Sequence, residues 1–186
     1  DQSGSKVVKK NGIMIEAIRI TSDQLSENQL ERFKELILER TGLVFRQPRR
    51  DALLRGICVA AERTGIENLD DYYQDLKQGK MDHPVWDNLI CELTIGETYF
   101  FRNQNHIEAL RKHILPKLIQ SHQPTRRLRI WSAGCATGEE PYTLSILLHQ
   151  LLPEINDWNI QILATDINRG ALQCAKAAKY RAWSFR

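Results

Sequence analysis

The sequence lacks the marks of several large protein classes. It has no uninterrupted apolar run of about 18 residues, so a membrane-spanning helix is not expected. Its opening residues contain no apolar signal-peptide core. Cysteine occurs at four scattered positions, Cys58, Cys91, Cys135 and Cys174, with no CxxC pair and no Cys/His cluster. That argues against a zinc site and for free thiols in a cytoplasmic protein. The five histidines (His83, His106, His113, His122 and His149) show no ligand spacing, and no metal is expected. A net charge of +3 over 186 residues gives no sign of the concentrated basic face that a nucleic-acid partner requires.

What is present is an ordinary folded composition, 42% hydrophobic and 26% charged, enough for one large domain or two small ones. Residues 1–22 read as a tail or tag, poorly ordered, with a short alternating stretch from Ile13 to Ile20 that suits a strand. Residues 23–92 read as a small all-helical domain. Ser26 caps a first helix with Leu30, Phe33 and Ile37 inward, which stops near Gly42. A second helix from about Arg49 to Thr64 puts Leu53, Leu54, Ile57, Cys58 and Ala61 on one side. Two more are expected over Asn68 to Gln78 and Pro84 to Thr94.

Residues 93–186 change character. A helix over Asn105 to Ile119, with Ile107, Leu110, Ile114 and Leu118 on one face, precedes a strand at Leu128 to Ala133. A helix from Glu140 to Leu152, a strand from Ile160 to Thr165 and a helix from Gly170 to Ala178 follow. Strand, helix, strand, helix predicts a parallel sheet and an α/β, Rossmann-like domain. Two strands bury two helical faces poorly, so the sheet reads as incomplete, either as in a chain truncated from a longer protein or with the missing strands supplied by a partner. An exposed sheet edge of that kind invites edge pairing or domain swapping between copies.

The chemistry centres on Trp131-Ser132-Ala133-Gly134-Cys135-Ala136-Thr137-Gly138-Glu139-Glu140-Pro141-Tyr142. A glycine turn between strand and helix lets a ligand approach the backbone closely. The turn is not GxGxxG, and Glu139 and Glu140 at the helix start would repel a pyrophosphate but not a cationic ligand. The same glutamates also suit a plain helix dipole. Asp166 closes the second strand, 28 positions after Gly138, where a carboxylate can accept from ribose hydroxyls or cap the next helix. Thr98 and Arg102 are four apart and would share a face if that segment were helical.

Three blocks carry a family likeness: LTIGETYFFRNQNHIEAL from Leu93, RIWSAGCATGEEPYTLSILL from Arg129, and ILATDINRGALQCAKAAKYRAWSFR from Ile162. In this order and spacing the chain resembles the CheR-type chemotaxis receptor methyltransferases over about Leu25 to Arg186. The resemblance implies a helical N-terminal domain followed by the first part of a Rossmann-like S-adenosylmethionine-dependent methyltransferase domain. It implies methyl transfer to glutamate side chains in the cytoplasmic region of a chemoreceptor, with S-adenosylhomocysteine as product. Thr98, Arg102, Gly134, Glu140 and Asp166 are then the cofactor-binding positions. Asp166 holds the ribose, Glu140 the amino-acid end, and Arg102 the acceptor carboxylate as the catalytic residue. Arg50, Arg55 and Arg63 on the second helix are the receptor-docking candidates, Arg55 and Arg63 lying about 80° apart by helical geometry. Two departures stand out. Gly96 stands where the family often has asparagine, and the second helix carries fewer arginines than is usual there. They leave room for a cofactor-sensing or scaffolding module with weak or no catalysis, and for a methyltransferase with another substrate.

Overall fold

A computed structural model describes residues 25–186, together with the backbone of two short strands. Those strands, β1 (Val8–Lys10) and β2 (Ile13–Ile15), pair antiparallel with Val8 opposite Ile15. The strand expected over Ile13 to Ile20 therefore has its first three residues in β2, and the remainder of it lies outside the described residues. The chain divides into two compact units, Asp1–Leu93 and Thr94–Arg186.

The helical unit is built from local signals that the chain supplies itself. Helix α1 (Glu27–Thr41) starts on a capping box, in which Ser26 Oγ accepts from the Gln29 N–H and Gln29 Oε1 accepts from the Ser26 N–H at 3.1 Å. It ends where Gly42 takes φ +73° and donates its N–H to the Leu38 carbonyl. Leu30, Phe33, Leu36 and Ile37 form its buried face. Helix α2 (Arg50–Thr64) buries Leu53, Leu54, Ile57, Cys58, Ala60 and Ala61, and ends at Gly65 with φ +75°. Gly56 has a packing role: a Cβ there would lie 2.7 Å from Leu93 Cδ2, so the missing side chain admits α4 (Pro84–Leu93) to close contact. Helix α3 (Leu69–Gln78) is capped by Asn68 Oδ1, which accepts from the Asp70 N–H at 2.7 Å. Trp86 is fully buried, and its indole N–H is satisfied by the Leu76 carbonyl at 3.0 Å. Leu93 closes α4 and is buried, so it belongs to this unit.

The second unit opens with an irregular segment and then α5 (Gln104–Ala109), a π-helical turn (Leu110–Ile114) and α6 (Leu115–His122). The π turn corrects the expected face. Ile114 is 46% exposed, and the fully buried position is Leu115. The cause is Pro116, whose ring conflicts with the carbonyl four residues back in a regular α-helix. The turn widens, the Leu115 N–H reaches back five residues to the Leu110 carbonyl, and the apolar stripe shifts by one position.

Strands β3 (Arg127–Ala133) and β4 (Asn159–Thr165) pair in parallel, with Trp131 opposite Leu163. Helix α7 (Glu139–Leu151) connects them, and α8 (Arg169–Ala177) and a 3-10 turn (Ala182–Phe185) follow. Strand alternation sends Leu128, Ile130, Ile160 and Ile162 to one face, where they meet Leu115, Leu147 and Leu148. On the other face Trp131 is 68% and Leu163 60% exposed.

Replacing Ser26 with alanine removes one arm of the capping box and should lower the stability of the helical unit by about 1 kcal/mol. Urea unfolding followed by circular dichroism would read this as a lower midpoint at unchanged slope.

Candidate cofactor site at the carboxyl ends of the strands

The glycine turn is held onto the end of β4 by backbone and carboxylate together. The N–H groups of Gly134 and Cys135 both donate to the Thr165 carbonyl, at 2.8 and 2.9 Å. One residue on, the Ala136 N–H donates to Asp166 Oδ2 at 2.8 Å. Asp166 Oδ1 accepts from the Asn168 N–H, also at 2.8 Å, an Asx turn that starts α8. Asn168 itself is the N-cap of α8, its Oδ1 accepting from the Ala171 N–H. The carboxylate at the strand end is thus first a latch between turn and strand. Each of its oxygens keeps a further lone pair for a ligand.

The turn runs through φ +72° at Gly134, +47° at Ala136 and +99° at Gly138. Gly134 is exposed, and a Cβ built on it meets nothing within 4 Å, so a ligand can lie directly over the backbone there. Gly138 is crowded from behind. A Cβ at that position would lie 2.8 Å from both the Ala175 Cβ and the Tyr180 hydroxyl. Tyr180 donates its hydroxyl to the Thr137 carbonyl at 2.8 Å. Burial, with the Glu139 charge nearby, pushes its phenol up to about 12, so this donor stays protonated. Burial, assisted by the Asp166 charge, likewise pushes the Cys135 thiol up.

The two glutamates separate by environment. Glu139 is 2% exposed; its carboxylate accepts from Thr137 Oγ1 at 2.6 Å and from Ser184 Oγ at 3.0 Å. Glu140 is exposed, and its Oε1 accepts from Ser132 Oγ at 2.6 Å. Glu139 is therefore a structural carboxylate, and Glu140 is the one available to a cation. An exposed acid, an open backbone and a carboxylate at the next strand end make a donor set that suits the ammonium and ribose of S-adenosylmethionine.

Thr98 and Arg102 do not share a helical face. Residues 94–103 are irregular, with left-handed φ of +55° at Phe101 and +64° at Asn103. The segment is clamped instead by distant residues. The Phe100 N–H donates to the Ser184 carbonyl at 2.8 Å, and its ring stacks on Phe185 and meets Tyr180 edge-on. The Phe101 N–H donates to Thr143 Oγ1, which in turn donates to the Glu139 carbonyl at 2.7 Å. Thr98 is buried, Arg102 is exposed, and a Cβ at Gly96 would lie 3.6 Å from the Ala136 Cβ. The 94–102 segment thus reaches the cofactor turn. Tyr180, Thr143 and Ser184 are supports that sequence reasoning did not single out, because their partners lie about 40 or more residues away.

In the helical unit the three arginines expected to dock a receptor differ in their surroundings. Arg50 pairs with Glu27 and lies 3.9 Å from Asp51, Arg63 pairs with Glu92 at 2.6 Å, and Arg55 is exposed. Two of the three charges already have intramolecular partners.

The parallel strands, the latched glycine turn and the acids around it define a Rossmann-like domain for a nucleoside-bearing, cationic cofactor, accompanied by a small helical domain. Residues 28–94 match the CheR methyltransferase all-alpha domain, and residues 96–186 match the CheR methyltransferase SAM-binding domain. The chain belongs to the CheR methyltransferase family, and the cofactor of its second domain is S-adenosylmethionine. It is 30% identical over 166 residues to the chemotaxis protein methyltransferase of Borreliella burgdorferi, covering 88% of this chain and 56% of that protein. It is 29% identical over 160 residues to chemotaxis protein methyltransferase 2 of Vibrio cholerae, covering 86% and 55%. A probable chemotaxis protein methyltransferase of Rhizobium etli is 41% identical over 92 residues, covering 50% and 34%. The chain spans about half or less of the length of these curated relatives. Among the described residues no helix is long and apolar enough to cross a membrane, and no cluster of His, Cys, Asp and Glu can hold a metal ion.

Gly138→Ala forces a Cβ against Tyr180 and Ala175 at a left-handed φ, and should cost about 2–4 kcal/mol. A melting temperature lower by several degrees in calorimetry checks it, and an unchanged one would remove the crowding behind the turn.

Proposed function

We propose that the protein is a protein-glutamate O-methyltransferase acting on the cytoplasmic region of a chemoreceptor. The observation that carries this is the Asp166 latch with its exposed neighbour Glu140, set in a chain of the CheR family. When bound, the cofactor supplies an electrophilic methyl on a cationic sulfur. Asp166 would hold the ribose hydroxyls with its remaining lone pairs while keeping the turn in place. Gly134 would give the cofactor close access to the backbone, and Glu140 would take the ammonium end. Thr98 would line the same pocket. Arg102 would orient the acceptor carboxylate.

A glutamate acceptor is already ionised at neutral pH, so the chain needs no general base. Alignment and exclusion of water are the tools required of it. Arg55 is the docking arginine best placed for an acidic receptor helix, because Arg50 and Arg63 must first leave Glu27 and Glu92. A second reading, a cofactor sensor with weak catalysis, is favoured by Gly96 and by those occupied arginines. Radiolabelled methyl transfer from S-adenosylmethionine to receptor fragments separates the two: transfer supports the enzyme, and cofactor binding without transfer supports the sensor.

Asp166→Ala should weaken S-adenosylhomocysteine binding by about 1–3 kcal/mol. Because the substitution also frees the turn, the ribose contact is isolated by a cycle with the 2′-deoxy ligand: the variant should lose discrimination between the two ligands in calorimetry. Gly96→Asn has room beside Ala136 and should bind the same ligand more tightly.

A further inference from the structure

Around Arg102 lies a charge cluster whose other members, Glu97 and Arg186, the proposed roles leave unused. Arg186 donates from Nη2 to Glu97 Oε1 at 2.9 Å, and Arg102 Nη2 lies 3.7 Å from Glu97 Oε2. Arg102 also donates to the Glu97 carbonyl. Both guanidiniums lie over the Tyr99 ring, with their Cζ atoms 5.7 Å (Arg102) and 4.7 Å (Arg186) from its centroid. Arg186 further lies 3.6 Å from the Trp183 ring, so two aromatic faces hold its guanidinium plane. Glu97 follows Gly96, the residue that approaches Ala136 of the cofactor turn. One glutamate carboxylate is therefore held by two arginines, on the segment whose Gly96 approaches the cofactor turn.

We infer that Arg186 is a second acceptor-binding residue beside Arg102, and that Glu97 occupies their carboxylate position until an acceptor glutamate displaces it. This rests on the proposed role of Arg102. The chemistry is matched, because Glu97 and the acceptor carry the same functional group. Displacement is feasible because the ion pairs are exposed, with side chains 36–54% accessible, and exposed pairs are weak. A tethered carboxylate nevertheless competes at an effective concentration on the order of millimolar. It lowers the apparent affinity of any incoming carboxylate by the fraction of time it occupies the site. The device also selects for charge, since a glutamine side chain cannot exchange for Glu97 on equal terms.

The test uses the complete protein saturated with S-adenosylhomocysteine, a chemoreceptor helix peptide bearing the target glutamate, and the same peptide with glutamine. Calorimetry should show Glu97→Gln binding the glutamate peptide about 3–10-fold tighter than wild type, with the glutamine peptide unchanged. Arg186→Gln should weaken the glutamate peptide by a similar factor and leave S-adenosylhomocysteine affinity intact, with Arg186→Lys intermediate. In turnover the effects should fall on KM for the peptide. A gain in affinity cannot come from misfolding, so Glu97→Gln guards against trivial loss in the arginine variants. Equal binding of the glutamate peptide by wild type and Glu97→Gln, or equal loss of both peptides in Arg186→Gln, overturns the inference. Methyl transfer by the wild type, measured in parallel, separates the failures. With transfer present and Glu97→Gln indistinguishable from wild type, only the displacement falls. With neither transfer nor peptide binding by the wild type, the proposed function falls with it.

Discussion

The carboxylate of Asp166 accepts two backbone N–H groups, from Ala136 and Asn168, and the rest of the site follows from that pair of bonds. Hydrogen bonds to a charged acceptor are stronger than neutral ones, and here they join three segments of chain: turn, strand end and the start of α8. With the turn drawn onto β4, its carbonyls and N–H groups are pinned in left-handed conformations that an isolated peptide would rarely populate. A ligand that uses the same carboxylate meets a turn already ordered, and so pays little for ordering it.

Behind the turn, a second layer of neutral donors supports it. Thr137 and Ser184 each donate to one oxygen of the Glu139 carboxylate and Thr143 donates to its backbone carbonyl, so the buried charge has a hydrogen-bond partner at both oxygens. Tyr180 closes the turn from the other side and packs against Phe100, which ties the 94–102 segment to the same framework. This explains why neighbouring glutamates take different parts. Glu139 points into the donors and becomes structure, while Glu140, one step around the helix, stays exposed beside Ser132.

The same logic of matched partners governs the charges outside the turn. Arg50, Arg63, Arg102 and Arg186 all have carboxylate partners within the chain, and each must exchange that partner to meet an acidic macromolecule. Exchange of like for like costs little Coulomb energy, so such pairs act on selectivity and rate more than on affinity.

Element by element, the helical unit was legible because its boundaries are local chemistry. Ser26 with Gln29, Gly42, Gly65 and Asn68 act on residues within four positions of themselves, and each ends or begins a helix where expected. The strands and the glycine turn were legible for the same reason, as short apolar runs that end in glycine or aspartate. The regular helical period does not give the shift from Ile114 to Leu115, because Pro116 breaks that period. The clamps on Thr98 to Arg102 and the sharing of Glu97 by two arginines were invisible for a deeper reason. Their partners, from Thr143 to Arg186, lie tens of residues away, and spacing along a chain carries no record of which distant side chains meet. By itself the sequence determined the helices, the turn and the acids that can serve a cationic cofactor. Tertiary structure decided which acid is buried, which arginine is already paired and what holds the turn in place. Those outcomes depend on desolvation and hydrogen-bond partners that exist only once the strands and the C-terminal segment have come together.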